Sequence, residues 1–205
     1  MTSTLSYSCL FAAGAWNPED WLPVSSPRWS HEGTWLAEPD HIRNQVPADA
    51  TPAEMQGPRA GETYASMLYR EPVECALRVR AEMAFDQCMA PLIVLATEPV
   101  LEACGRRVYR EHVEVVLFNE GINIWHHRWS AQRGPYWHRA AWARFAVDAH
   151  TRYVVEVERE GPALAVHCGM HSVGVRLDLP ERLYAGITGC EGTNRFYAFD
   201  LMAGE

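Results

Sequence analysis

Residues 110–129 read REHVEVVLFNEGINIWHHRW, and the architecture of the whole chain can be built outward from them. Val113, Val115 and Leu117 alternate with His112 and Glu114, the period-two pattern of a half-buried strand. Asn119-Glu120-Gly121 is a turn signal, after which Ile122 and Ile124 alternate with Asn123, Trp125 and His127. A hairpin results, with one apolar side that must be covered by a second layer. Its other side brings Arg110, His112 and Glu114 beside Asn123, Trp125 and His127. Rings and acid–base groups stand where Thr, Ser and Lys would serve a merely solvated face.

The same periodicity recurs along the chain. Strands are expected at 7–12, 34–44, 64–69, 73–85, 92–96, 112–118, 122–127, 141–147, 153–160, 163–168, 173–177, 183–188 and 194–202. Glu160-Gly161-Pro162 and Glu191-Gly192-Thr193 mark further turns. Helical periodicity is weak, with short helices expected only around 52–56 or near 99–104. Many strands with almost no helix give an all-β fold, a sandwich or barrel. No repeat or linker divides residues 1–205, so one domain is expected, with long loops at 45–62 and 130–136 rimming a binding surface.

Composition narrows the partners. Apolar residues make up 48% of the chain, enough for a core, and the formal net charge is −8. That sign, without a basic cluster, argues against a nucleic-acid backbone or an anionic membrane as partner. No apolar run is long enough to span a bilayer, and the N-terminus lacks a basic region and a long apolar run. Cys9, Cys75, Cys88, Cys104, Cys168 and Cys190 are scattered without a C-x-x-C pair and read as reduced thiols, so a cytoplasmic location is expected. There is no phosphate-binding G-x-x-x-x-G-K-[ST] and no G-x-S-x-G. The nine histidines show neither H-x-H nor H-E-x-x-H, and adjacent His126 and His127 point to opposite faces of a strand. No metal site or cofactor is therefore expected from spacing.

The order of segments carries a resemblance. CLFAAGAW and EGTWLAEPDHI precede the long VECALRVRAEMAF and the apolar APLIVLA. The hairpins HVEVVLFNEGINIW and YVVEVEREGPALAVHCG follow, then LYAGITGCEG and NRFYAFDLM. From about residue 9 to 202 this resembles the concanavalin A-like lectin/glucanase superfamily, including laminin-G-type domains. The resemblance implies a two-sheet antiparallel jelly-roll β-sandwich with its last strand beside the first. It also implies a carbohydrate ligand on the concave face, and admits a structural calcium near the chain ends to which Asp200 would contribute. Glucanase members carry E-x-D-x-x-E on one strand; here Glu111 and Glu114 flank His112, so the retaining-glucanase roles do not carry over. Alginate-lyase members carry Gln-x-His, from which Arg110-Glu111-His112 departs.

The candidate catalytic residues are His112, Glu114 and His127, a carboxylate beside imidazoles being suited to proton transfer. The candidate substrate-binding residues are Arg110, Asn123, Trp125, Tyr136, Trp137, His138 and Asp86. An indole offers a flat apolar face to a pyranose, while Arg, Asn and His bond hydroxyls or a uronate carboxylate. A lyase would use His112 or His127 as base, Tyr136 as acid and Arg110 as the neutralising cation. A hydrolase would pair Glu114 with Asp86 or Glu32. The competing account is a solvated face with cross-strand ion pairs, and it is favoured for Arg78, Arg80 and Glu82. The expected function is an intracellular enzyme of lyase or glycoside hydrolase type acting on a short oligosaccharide or uronide. The alternatives are a non-catalytic carbohydrate-binding module and a structural or partner subunit of an oligomer, a homo-oligomer included.

Overall fold

The computed structural model describes residues 5–74 and 76–204, and Cys75 lies outside the described residues. In chain order the strands are β1 (Leu5–Leu10), β2 (Trp21–Pro23), β3 (Trp35–Ala37), β4 (Ile42–Asn44), β5 (Ala65–Tyr69), β6 (Leu77–Phe85) and β7 (Pro91–Ala96). Then come β8 (Val100–Leu101), β9 (Arg107–Val108), β10 (His112–Phe118), β11 (Gly121–Ser130) and β12 (Gly134–Arg144). The last are β13 (Tyr153–Glu160), β14 (Ala163–Cys168), β15 (His171–Arg176), β16 (Tyr184–Gly189) and β17 (Asn194–Ala203).

They form a two-sheet antiparallel jelly-roll β-sandwich. An eight-stranded sheet runs β15-β14-β13-β6-β17-β4-β3, with β1 also pairing β17. A seven-stranded sheet runs β12-β11-β10-β7-β16-β5-β2, and β8 with β9 makes a separate ribbon. The last strand does lie beside the first, Leu5 opposite Ala203 and Leu10 opposite Ala198. Val79, Ala81 and Met83 of β6 face Val113, Val115 and Leu117 of β10 across the sandwich, joined by Ile122, Ile124, Phe199 and Leu201. Each such fully buried aliphatic side chain contributes about 1.5–3 kcal/mol. The outward rows of β6 and β13 are charged: Arg80 meets Asp200 at 3.0 Å and Arg152 meets Glu82 at 3.7 Å. Arg78 pairs with Glu156 and Glu158.

The seven-stranded sheet differs in having a second apolar layer on its outer side. Leu92, Val94 and Ala96 of β7, Val116 of β10 and Tyr64, Tyr109 and Tyr184 pack there, with Trp29 and Trp125 against them. The strand β7 is consequently buried on both faces, which is why APLIVLA lacks alternation. At the β10–β11 turn Gly121 holds φ +128°, and a Cβ there would meet the Ala143 carbonyl oxygen at 2.0 Å. Only glycine fits that crossing with β12.

Several sequence expectations need correction. The 34–44 segment is two strands, because Pro39 and Asp40 turn the chain and Glu38 donates its N–H to the His41 carbonyl. Residues 52–56 do begin a helix, α1 (Pro52–Met55), capped reciprocally by Thr51 and Glu54. Residues 99–104 hold no helix; Val100–Leu101 and Arg107–Val108 pair instead. The 130–136 loop is a tight turn, since Ser130 pairs with Gly134 and the strand continues to Arg144. Most of β12 is exposed on both sides, so no apolar alternation announced it.

Candidate functional site

The pairing of β10 with β11 sets His112 directly opposite His127, and Glu114 opposite Trp125. His127 Nε2 lies 2.9 Å from one Glu114 carboxylate oxygen and His112 Nε2 lies 3.4 Å from the other. Both imidazoles are buried, and the Glu114 side chain is nearly so. Burial opposes ionisation of Glu114. The two imidazoles outweigh it and hold the carboxyl well below the usual carboxylate range. Burial pushes His112 toward its neutral form, with Glu114 pulling it partly back.

The rings continue as a column. Tyr109 stacks on His112 at 4.6 Å, His112 on His127 at 4.4 Å and His127 on Trp137 at 5.8 Å. The Arg28 guanidinium then lies 4.8 Å from the Trp137 ring and 4.4 Å from that of Trp29. The outer end of the column lines a hollow of about 240 Å³, where His127, Trp137 and Arg28 meet Glu114, Asn123, Trp125 and Glu191. Glu191 enters from the turn after β16, at φ +56°, its backbone N–H donated to Thr63 Oγ1 at 2.7 Å. Burial pushes the Glu191 carboxyl up, while the charge of Arg28 pulls it partly down.

A bulge in β12 decides which of its side chains reach this hollow. Ile124 pairs with Ala141 but Trp125 pairs with Arg139, so Ala140 is extra. Trp137 and Arg139 thereby share the outer side with Trp142, five and three residues away, which an unbroken strand would forbid. Arg139 stacks 4.6 Å from Trp142 and 6.0 Å from Trp125, and donates to Asn123 Oδ1 at 3.3 Å.

Of the residues singled out from sequence, His112, Glu114, His127, Asn123, Trp125 and Trp137 come together. Four do not. Arg110 lies over Trp129, 4.3 Å from its ring, outside the hollow's lining. Tyr136 and His138 pair with Arg128 and His126 and share their face, turned away from His127. There His126 contacts Glu111 at 2.9 Å. Asp86 ends β6 in the other sheet, where Arg195 and His150 hold it. Glu32 lines a separate cavity beside the hollow, with Tyr64 between the two. Sequence reading missed Arg28, Trp29, Arg139, Trp142 and Glu191. Arg139 and Trp142 alternated locally, but the bulge hid their common side. Nothing local marks Glu191.

His112, Glu114 and His127 also offer three metal-ligand atoms within 4.8 Å of one another. A bound ion lies in the plane of each imidazole, about 2.0–2.1 Å from its nitrogen. The two ring planes here are 15° apart with their centroids 4.4 Å separated, so one ion cannot lie in both planes. That stacked arrangement fits proton transfer better than shared coordination of one ion. At the chain ends Asp200 is engaged by Arg80 and by Ser8, not by an acidic cluster.

No family model and no curated protein matches this chain. Solved structures do. The carbohydrate binding module CBM66 from Bacillus subtilis superposes with a TM-score of 0.59 at 9% identity, covering 87% of this chain and 92% of that one. The exoplasmic/lumenal domain of VIP36, in a Ca2+/Man3GlcNAc-bound form, gives 0.60 at 9% identity over 97% and 88%. The GlcNAcα1-4Gal-releasing endo-β-galactosidase from Clostridium perfringens gives 0.63 at 9% identity over 96% of this chain and 62% of that one. At such identities the likeness is one of fold: the two-sheet β-sandwich.

Proposed function

We propose that this protein binds carbohydrate in the hollow on the outer side of its seven-stranded sheet. One observation carries the reading: Trp125 and Trp137 line a hollow that also presents Asn123, Arg28 and two carboxyl groups. Indole faces receive the C–H side of a pyranose, and the polar groups bond its hydroxyls. The fold's neighbours include a carbohydrate-binding module and a mannose-glycan complex, which supports the same reading. Calorimetric titration with an oligosaccharide panel tests it. Binding that weakens at least about tenfold in Trp125→Ala is expected, and failure of every sugar to bind would sink the proposal.

A catalytic role on the same sugar has its own support. His127 lines the hollow, and its Nε2 rests against buried Glu114. A carboxylate-backed imidazole facing a hollow is suited to act as a general base. Glu191, which burial favours in the neutral form, would be the proton donor in place of Tyr136. Product formation lost in His127→Ala, with sugar binding retained, is the expected result; binding without turnover in the wild type leaves the module. We place the protein in a reducing compartment, in keeping with free Cys9, Cys88, Cys104, Cys168 and Cys190.

A further inference from the structure

Two arginines around the hollow are held differently from those that pair with carboxylates elsewhere in the molecule. On the eight-stranded sheet and its flanks Arg43, Arg78, Arg80, Arg152 and Arg195 each meet a carboxylate. Around the hollow Arg28 is sandwiched between Trp29 and Trp137, and Arg139 lies against Trp142 and Trp125. Neither has a carboxylate within 4.0 Å among the described residues, in a chain of net charge −8. Glu191 shares the hollow with Arg28 yet lies beyond ion-pair distance, and Glu114 is engaged by two imidazoles.

A guanidinium stacked on indoles is fixed in orientation by its faces. Its edge, a rigid fork of N–H donors, stays free for a planar or tetrahedral anion. Arg139 spends one donor on Asn123, which itself lines the hollow, and so stands beside it with further N–H donors to offer.

We propose that the ligand is an anionic saccharide: the pyranose lies on Trp125 and Trp137 while its acidic group meets the edges of Arg28 and Arg139. This deepens the carbohydrate reading above and rests on it. The role given from sequence to Arg110 passes to these two residues, because Arg110 is parked on Trp129 outside the hollow.

The test uses paired probes. Oligogalacturonate, oligoglucuronate, oligomannuronate and oligoguluronate are titrated beside their carboxyl-reduced counterparts, and a sulfated galactan oligosaccharide beside its desulfated form. One acidic member is expected to bind at least about tenfold tighter than its neutral twin, with affinity falling as salt rises. Which pair discriminates tells a uronate from a sulfate ester. Arg28→Ala and Arg139→Ala should each shrink the ratio, while Arg78→Ala on the other sheet leaves it intact. Both targeted arginines are exposed, and an unchanged thermal midpoint will show that the variants fold. Equal affinity for a neutral twin, or a ratio untouched by both substitutions, overturns the anionic ligand and spares the carbohydrate reading. Failure of all probes overturns both.

Discussion

The outer face of the eight-stranded sheet and the outer face of the seven-stranded sheet are written in similar letters. β6 alternates Arg78, Arg80 and Glu82 with apolar residues, and β10 alternates His112 and Glu114 with them. On the first, Arg78, Arg80 and Glu82 find opposite charges on neighbouring strands, and the result is a solvated lattice. On the second, Glu114 is buried between imidazoles, and Arg28 and Arg139 lie on indoles. Exposed ion pairs are worth little and need no ligand. A buried ionised group costs free energy unless its partners compensate it. The lesson is that partner type, not residue type, separates a working face from a solvated one.

The sharpest way to break the contrast is to remove its buried carboxylate. Glu114→Ala strands two imidazoles in an apolar layer and should cost about 2 kcal/mol, read from urea unfolding at pH 7. Arg80→Ala, its counterpart on the other face, should cost no more than about 0.5 kcal/mol. Sugar affinity comes next. Trp137→Ala should weaken binding about tenfold with little loss of stability, since that indole is 45% exposed.

Acid sharpens the comparison further. The folded-state pKa of Glu114 is depressed below its ordinary 4.5, and that of buried His112 below 6.5. Each depressed group adds stability that is complete above its ordinary value and lost as pH falls toward the folded one. Wild-type stability should therefore decline as pH drops below about 6.5, and again below about 4.5. The second decline should be smaller in Glu114→Gln, while Asp200→Asn on the opposite sheet leaves the profile nearly unchanged. The smallest effect is expected from a chelator. The parallel imidazole planes do not fit one shared ion, so sugar affinity measured before and after dialysis against EDTA should be the same.

Much of this was legible in the chain. The alternation of β10 and β11 placed Val113, Val115, Ile122 and Ile124 inward, and set His112, Glu114, Trp125 and His127 on the other side. The solvated reading of Arg78, Arg80 and Glu82 was equally visible. What went astray lies on β12. Counting by twos from Trp137 separates it from Trp142, and one extra residue at the bulge reunites them. Tyr136 and His138 left the site because plain alternation turns both neighbours of Trp137 to the opposite side. Asp86 misled because a carboxylate at a strand end looks the same whether it faces a ligand or Arg195.

The sequence by itself determined the hairpin and its two sides, because strand periodicity is a local property of covalent geometry and hydrophobicity. Only the tertiary structure decided that Arg28, Trp29 and Glu191, remote in the chain, would close the hollow around that hairpin. Their meeting depends on which strands pair and where one slips by a residue. That is set by packing over the whole sandwich, not by any neighbour in sequence.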